Sequence, residues 1–193
     1  DYFKTIKERY AQMVTDDEDK EHFITGLESI DKTINGGGYG RGEIISVVAG
    51  SGVGKSVMLG CIAATNLMRG KRGAYISLEL AEHKVADRMD AILTGYPVQN
   101  LYGHRESIFE DLGNLKGVDY ESKIPVVIKQ FPAGTATVNI IRAYIAQLRF
   151  HGFDPDFVIV DYIGEMADIP GMKTYESREK TVRDLRALAT EEN

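Results

Sequence analysis

The sequence predicts an α/β fold in which a mostly parallel sheet is covered by helices on both faces. The first observation is the alternation of short apolar runs with longer runs of helical periodicity. The second is a glycine-rich turn at residues 49–56 that joins an apolar run directly to a helical one. The third is a content of 43% hydrophobic and 27% charged residues in a chain of 193, enough for one domain with a sizeable core.

Composition and charge argue against several classes of protein. No apolar run approaches the ~18–20 residues of a membrane span, and no secretory signal begins the chain, so a cytoplasmic protein without a membrane role is predicted. The single Cys61 cannot form an internal disulfide, and we interpret it as a buried, inert thiol. A net charge of −6 argues against a broad basic surface for nucleic acid, but is compatible with a few phosphate-contacting loops inside a ring or cleft.

Residues 1–22 are predicted to form a separate N-terminal segment, with a helix over residues 1–14 followed by an acidic linker. The apolar residues of the helix fall on one face, at Phe3, Ile6, Tyr10 and Met13. That face must pack either on its own domain or on a neighbouring subunit, and the linker behind it favours the neighbour. The domain proper is expected to begin near residue 23.

Apolar periodicity places the remaining elements. The strands are predicted at residues 44–48, 74–78, 125–130 and 157–161. The helices are predicted from the turn at Thr25 to Ile34, from Val57 to Met68, and at residues 82–94, 137–150 and 176–192. Residues 96–122 carry weak signals that are mostly helical.

The glycine-rich turn matches the phosphate-binding P-loop pattern G-x-x-x-x-G-K-[ST], except that alanine stands at the first glycine position. Its residues are Ala49, Gly50, Ser51, Gly52, Val53, Gly54, Lys55 and Ser56. Small residues let backbone N–H groups converge on phosphate oxygens, and the following helix adds its positive dipole end. The Lys55 ammonium can reach the outer phosphates, and the Ser56 hydroxyl can ligate Mg²⁺. An ordinary glycine-rich turn is the alternative, which the Lys-Ser pair in this context disfavours.

Two carboxylates end predicted strands, at the sheet edge where open α/β folds bind ligands. Asp161 follows four apolar residues and could hold Mg²⁺ through water. Glu79 ends another strand and could polarise the water that attacks the γ-phosphate of ATP. A capping or salt-bridging glutamate is an equal alternative for Glu79 on these residues alone.

A series of short motifs resembles the DnaB-like replicative helicases in order and spacing. The motifs are Thr25-Gly26 with Asp31, Gly42-Glu43, residues 49–56, Ser77-Leu78-Glu79-Leu80, Val160-Asp161-Tyr162 and Leu185-Arg186-Ala187-Leu188-Ala189. The resemblance covers nearly all of residues 23–193 and implies a RecA-like P-loop NTPase core. It implies an ATP-driven homo-hexamer that passes single-stranded DNA through its centre at a replication fork, with a primase and a loader as candidate partners.

The resemblance also implies roles for individual residues. Lys55 and Ser56 become ligands of phosphate and Mg²⁺, Asp161 becomes the metal carboxylate, and Glu79 becomes the general base. Gly164-Glu165-Met166 departs from the more usual Leu-Gln-Leu, so no role transfers to Glu165, and the departure fits a phage-type or mobile-element member.

DNA contacts and metal ligands are the least specific predictions. Residues 167–178, with Lys173, correspond to a channel-facing loop of the family, and a solvent loop with an incidental lysine is an equal alternative. The histidines show no metal-ligand spacing with one another or with Cys61. They are His22, His83, His104 and His151, and we interpret them as surface or capping residues.

Two other functions compete with a helicase motor. A RecA/RadA- or KaiC-like ATPase, which coats DNA or regulates without unwinding, shares the P-loop and both carboxylates, but Ser77-Leu78-Glu79-Leu80 and Asp161-Tyr162 favour the helicase. A metabolic P-loop kinase would need an arginine-rich lid, whereas residues 96–122 contain only Arg105.

The RecA-like strand order makes a further prediction about the sheet. The expected spatial order is 125–130, 74–78, 157–161, an empty place, and then 44–48. In the family a strand that follows the helix ending near Glu192 occupies that place, so we expect residues 23–193 to be only the front part of a longer ATPase core. Direct pairing of residues 44–48 with 157–161 would contradict the RecA-like order.

Overall fold

The computed structural model describes residues 22–34, 37–114 and 126–192. The predicted helix over residues 1–14 and the acidic linker lie outside the described residues, so both stay predictions. The second half of the weakly helical segment, from residue 115, also lies outside them.

A parallel three-stranded sheet forms the centre of the described residues. Its strands are β1 (Gly73–Ser77), β2 (Val126–Gln130) and β3 (Phe157–Asp161), in the spatial order β2-β1-β3. In register, Ser77 at the end of β1 lies beside Asp161 at the end of β3. The predicted order of these three strands is confirmed, with boundaries within one residue of the prediction.

Helices occupy both faces of the sheet. They are α1 (Glu28–Asp31), α2 (Lys55–Leu67), α3 (Glu82–Thr94), α4 (Arg105–Gly113), α5 (Val138–Phe150) and α6 (Thr174–Glu191), with 3₁₀ helices at Val98–His104 and Ile163–Glu165. The predicted helices at 82–94, 137–150 and 176–192 are confirmed within two residues. Among the described residues, no helix combines the length and apolar character that crossing a membrane requires.

Two apolar clusters hold the layers together, one on each face of the sheet. On the first face, Tyr75 and Ile159 pack against the buried sides of α2 and α3. On the second, Ile76 and Leu78 pack against α5 and α6. Every residue of β1 is buried, because this central strand is covered on both faces. The sheet therefore fixes where the carboxyl ends of β1 and β3 lie.

The predicted strand at residues 44–48 is wrong as a strand in this structure. No ladder in the described sheet includes this segment, and it does not pair with β3. Val48 is 90% exposed, which no central strand of a covered sheet would be. An apolar run becomes a strand only beside a partner strand that completes its backbone hydrogen bonds. Among the described residues, no strand lies beside residues 44–48.

A cleft of about 490 Å³ separates residues 44–48 from β3. Its walls also include side chains of α2, α5 and α6. Residues of the second apolar cluster, among them Ile141 and Leu185, reach its surface. The outer edge of β3 faces this cleft with no strand paired to it in the described residues, as the RecA-like strand order predicts.

A buried turn attaches the N-terminal part of the described chain to α2. The Asp31 carboxylate accepts hydrogen bonds from the Thr25 backbone N–H and hydroxyl, both at 2.8 Å, and from the Gly26 N–H at 3.1 Å. Asn66 of α2 accepts from the Ile24 N–H and donates to the Ile24 carbonyl. The Thr25-Gly26 motif and Asp31 are therefore a structural turn that lies against the P-loop helix.

Asp31→Ala is expected to destabilise the fold by about 1–3 kcal/mol, because it leaves buried donors of Thr25 unsatisfied. The matched control is Glu28→Ala on the same helix, since the exposed Glu28–Lys32 ion pair contributes at most about 1 kcal/mol. Urea unfolding measures both variants. Equal losses in the two variants would contradict the role of Asp31 in the turn.

Candidate nucleotide site

The glycines of the P-loop adopt backbone conformations that other residues rarely take. Gly52 has φ of 73° and Gly54 has φ of 102°, both in the left-handed region. Gly54 is also the N-cap of α2, and no side chain caps this helix end. The first N–H groups of α2 therefore have no side-chain cap, and the loop before them is exposed, which is the arrangement that a P-loop requires.

Lys55 lies back across its own loop. Its Nζ donates to the carbonyl oxygens of Ala49, at 3.0 Å, and Gly50, at 2.8 Å. The same Nζ lies 5.7 Å from the centroid of the Tyr162 ring, just beyond β3. Lys55 thus lies between the P-loop and the end of the strand that carries Asp161.

Asp161 is buried at the carboxyl end of β3, with 1% of its surface exposed. Its Oδ2 accepts a hydrogen bond of 2.7 Å from the Tyr75 hydroxyl. Its Oδ1 is equally buried and has no hydrogen-bond partner among the described residues. Because side chains alternate along a strand and Ile159 packs under α2, Asp161 points to the α2 face of the sheet.

Burial raises the pKa of Tyr75 well above its usual value, and the hydrogen bond to Asp161 and the charge of that carboxylate raise it further. A phenol with a raised pKa stays protonated at neutral pH, so the Tyr75 hydroxyl remains a donor. Asp161 Oδ2 is therefore permanently engaged, while Oδ1 is left available.

Glu79 is exposed two residues beyond β1. The Ser77 hydroxyl donates to the Leu80 carbonyl at 2.7 Å and accepts from the Leu80 N–H at 3.0 Å. This closed turn, whose Ser77 side chain is fully buried, holds Glu79 at its tip. A capping role for Glu79 is therefore not needed to explain the turn.

Tyr162 lies where the predicted site residues meet. The pKa of Tyr162 is raised above its usual value, mainly by the hydrogen bond from its hydroxyl to Glu165. The negative charges of Glu165 and Glu79 raise this pKa further. The Lys55 ammonium also approaches this ring. Glu79 follows β1 by two residues, and the end of β1 lies in register with the end of β3, so Glu79, Asp161 and the P-loop lysine belong to the same edge of the sheet.

Glu165 has a local structural role. Its Oε1 accepts the Tyr162 hydroxyl at 2.8 Å across the 3₁₀ helix Ile163–Glu165. Arg178 fixes the same region by donating to the carbonyls of Gly164 and Met166, at 2.9 and 3.0 Å. This region closes the site beyond β3 without adding a ligand to it.

The part of the chain that the structure describes holds no group of three or more His, Cys, Asp or Glu side chains arranged for a metal ion. Mg²⁺ does not require such a cage, because it usually takes one or two carboxylates together with phosphates of a substrate. Ser56, in the first turn of α2, and Asp161 are the residues that could hold it here. The buried, unpartnered Oδ1 of Asp161 fits such a ligand.

The histidines and the cysteine contribute nothing to this site. His83, His104 and His151 are exposed as predicted, and His104 stacks on Tyr96. The prediction of a surface or capping role is wrong for His22, whose two ring nitrogens are buried and have no hydrogen-bond partner among the described residues. The expectation that Cys61 is buried is wrong, since this free thiol on α2 is half-buried.

The family model of the DnaB-like helicase C-terminal domain matches residues 23–193. The chain belongs to this family. A DnaB-like replicative helicase of Enterobacteria phage T4 is 31% identical over 164 residues, which cover 82% of this chain and 34% of the T4 protein. The circadian clock protein KaiC2 of Synechocystis sp. is 29% identical over 73 residues, or 38% of this chain and 13% of that protein. This chain thus spans about a third of the T4 relative.

Solved structures show the fold of this DnaB-like domain. One is a DnaB-like replicative helicase that is described with its interactions with primase. It has a TM-score of 0.74 at 16% identity, and the match covers 97% of this chain and 45% of the helicase chain. The ATPase domain of G40P has the same TM-score and identity, with 99% of this chain and 67% of that one covered. The predicted RecA-like α/β fold is confirmed.

Sequence reasoning missed two polar residues of this DnaB-like domain. Ser77 forms the turn below Glu79, and Tyr75 bonds Asp161. A signal was present, because a tyrosine and a serine two residues apart within a buried strand point to one face and need polar partners there. Which partners they find depends on the strand register.

Proposed function

We propose that this DnaB-like domain is the motor of a replicative DNA helicase, which binds ATP with Mg²⁺ and hydrolyses it to move along single-stranded DNA. One observation carries the proposal. The strands that precede Glu79 and Asp161 end in register at one sheet edge, and Lys55 lies 5.7 Å from the Tyr162 ring at that edge, in a chain of this family. That edge is where open α/β folds bind nucleotides.

Each residue has a role that its surroundings permit. Lys55 exchanges the carbonyls of Ala49 and Gly50 for the outer phosphates of ATP, which are stronger partners for an ammonium group. Glu79 is exposed at the tip of its turn and orients and polarises the attacking water. Ser56 and Asp161 hold Mg²⁺, which when bound neutralises charge on the phosphates.

The proposed DNA contact is the loop before α6 together with the first turn of that helix. Lys173 in the loop and Tyr175 in the helix are both exposed, and the lysine Nζ lies 6.0 Å from the centroid of the tyrosine ring. A cation beside an exposed aromatic ring suits a phosphate and a stacked base of single-stranded DNA. The homo-hexamer, a primase, a loader and a cytoplasmic site in a bacterial or phage-infected cell remain part of the proposal. The solved DnaB-like helicase that is described with its interactions with primase supports the primase as a partner.

We propose that residues 23–193 supply the front part of the ATPase core. The cleft between residues 44–48 and β3 supports this, because it presents apolar side chains and the unpaired edge of β3 together. An extended strand inserted there would pair β3 and give residues 44–48 a ladder partner. The partial coverage of the T4 relative agrees with this arrangement.

The second candidate is a KaiC-like or RecA/RadA-like ATPase, which the KaiC2 match favours. The test is strand displacement on a forked duplex, with ATP, by the protein in its native form. A helicase separates the fork in proportion to ATP hydrolysis, whereas a coating ATPase assembles filaments on single-stranded DNA without separating it. Filaments visible by electron microscopy, without displacement, would overturn the helicase proposal.

Lys173→Ala provides a matched variant in the same assay, since this lysine is remote from the P-loop in the chain and exposed. It is expected to weaken single-stranded DNA binding and its salt dependence while leaving ATP binding unchanged. Lys180 on α6, which pairs with Asp184, provides the control substitution on the same helix. If neither substitution changes DNA binding, the loop before α6 does not contact DNA.

A further inference from the structure

The hydrogen bond between Tyr75 and Asp161 joins two side chains that are almost fully buried, at 2% and 1% exposure. It runs between neighbouring strands, from the middle of β1 to the last residue of β3. Nothing in the proposed roles of Lys55, Glu79 and Ser56 requires a tyrosine at this position. The bond nevertheless involves one of the two oxygens of the carboxylate assigned to Mg²⁺.

The strand register explains how Tyr75 reaches Asp161. Asp161 pairs with Ser77, and Tyr75 lies two residues earlier on the same face of β1. Such diagonal neighbours have Cα atoms ~7–8 Å apart, a separation that aromatic and long side chains can bridge. The phenol ring packs in the apolar cluster under α2 and α3 and projects its hydroxyl toward the carboxyl end of the sheet.

The two oxygens of Asp161 are left in different states. Oδ2 is held at 2.7 Å by the Tyr75 hydroxyl, whereas Oδ1 is buried and has no partner among the described residues. A carboxylate held by one oxygen cannot rotate about its terminal torsion without breaking that bond. A buried polar atom without a partner is rare and calls for a ligand that completes it.

We propose that Tyr75 is a positioning residue for the metal carboxylate: its hydroxyl holds Oδ2 of Asp161 so that Oδ1 is presented to the cation of the bound nucleotide. This inference rests on the proposed function, because it takes Asp161 as a metal carboxylate. Residues that hydrogen-bond to metal ligands orient those ligands in this way, and their removal typically weakens metal affinity by about 10- to 100-fold. Tyr75 itself touches neither the cation nor the nucleotide.

The test uses Tyr75→Phe in the protein in its native form, a change that removes the hydroxyl and keeps the ring. Mn²⁺ serves as the probe, titrated by electron paramagnetic resonance in the presence of a saturating non-hydrolysable ATP analogue. We expect Mn²⁺ affinity to fall by about tenfold or more, while affinity for the analogue in EDTA stays unchanged. The matched control is Tyr144→Phe, a partly buried tyrosine on the opposite face of the sheet.

A double-variant comparison separates positioning from general packing. In the Asp161→Asn background, Tyr75→Phe should produce no further loss of Mn²⁺ affinity, because the carboxylate that it positions is already gone. An equal loss in both backgrounds would show that the hydroxyl acts elsewhere. Wild-type Mn²⁺ affinity in the single variant Tyr75→Phe would overturn the proposal outright.

The remaining outcomes are also decisive. Tyr75→Met removes the same hydroxyl, and loss of the fold in both Tyr75 variants would assign the hydroxyl to stability alone and overturn the inference. Failure of the unaltered chain to bind the analogue at all would instead reject the proposed function, on which the inference rests. Binding of the analogue by the unaltered chain, with Mn²⁺ affinity insensitive to Asp161→Asn, would reject Asp161 as the ligand.

Discussion

Lys55→Ala is expected to weaken ATP binding by about 10- to 100-fold. A charge-assisted hydrogen bond contributes about 1.5–3 kcal/mol, and each 1.4 kcal/mol is a factor of about ten in affinity. In the structure the ammonium group donates to two carbonyls of its own loop, Ala49 and Gly50, and lies beside the Tyr162 ring, so its loss should leave the fold intact. Isothermal titration with ATP, alongside a thermal unfolding curve, measures both quantities.

The control for this variant is Lys84→Ala, which removes an exposed lysine from α3, away from the P-loop. It carries the same change in net charge, and its ATP affinity should match that of the unaltered chain. ATP affinity that is unchanged in Lys55→Ala would reject the P-loop assignment.

Glu79→Gln is expected to lower the rate of ATP hydrolysis by about 10²- to 10⁴-fold, the usual contribution of a general base. Binding of ATP and Mg²⁺ should persist, because the Ser77–Leu80 turn that carries residue 79 is held by other atoms. Steady-state phosphate release, measured with the protein in its native form, gives the turnover rate. A nucleotide titration of the same variant gives the affinity.

Glu110→Gln on α4 supplies the matched control, since it makes the same chemical change at an exposed glutamate of a different helix. Its turnover should equal that of the unaltered protein. Normal hydrolysis by Glu79→Gln would return Glu79 to a purely structural role. A loss of ATP binding in the same variant would instead show that residue 79 supports the shape of the site.

Local patterns predicted most of the elements correctly. Four predicted helices and the three paired strands appear within two residues of their predicted bounds, because apolar periodicity reports directly on burial. The exception is α1, which ends at Asp31 and not at the predicted Ile34. The prediction that failed is the strand at residues 44–48. Their composition is that of a buried strand, but a strand is completed only by a neighbour, and composition carries no information about whether that neighbour is present.

The candidate site also has some features that the sequence predicted and others that only the tertiary structure decided. The sequence by itself determined the P-loop, since Gly52 and Gly54 take left-handed backbone conformations that follow from residue type and spacing. It also determined that Glu79 and Asp161 follow buried strands. These are properties of consecutive residues, which local sterics and hydrogen bonding set without reference to the rest of the chain.

Only the tertiary structure decided how these groups are held. The bond from Tyr75 to Asp161 spans 86 positions of sequence and depends on the parallel register of β1 with β3. The approach of Lys55 to Tyr162 depends on how α2 packs against β3. A one-residue shift in register would turn Tyr75 to the opposite face, so contacts of this kind are set by strand pairing and packing, which no local pattern encodes.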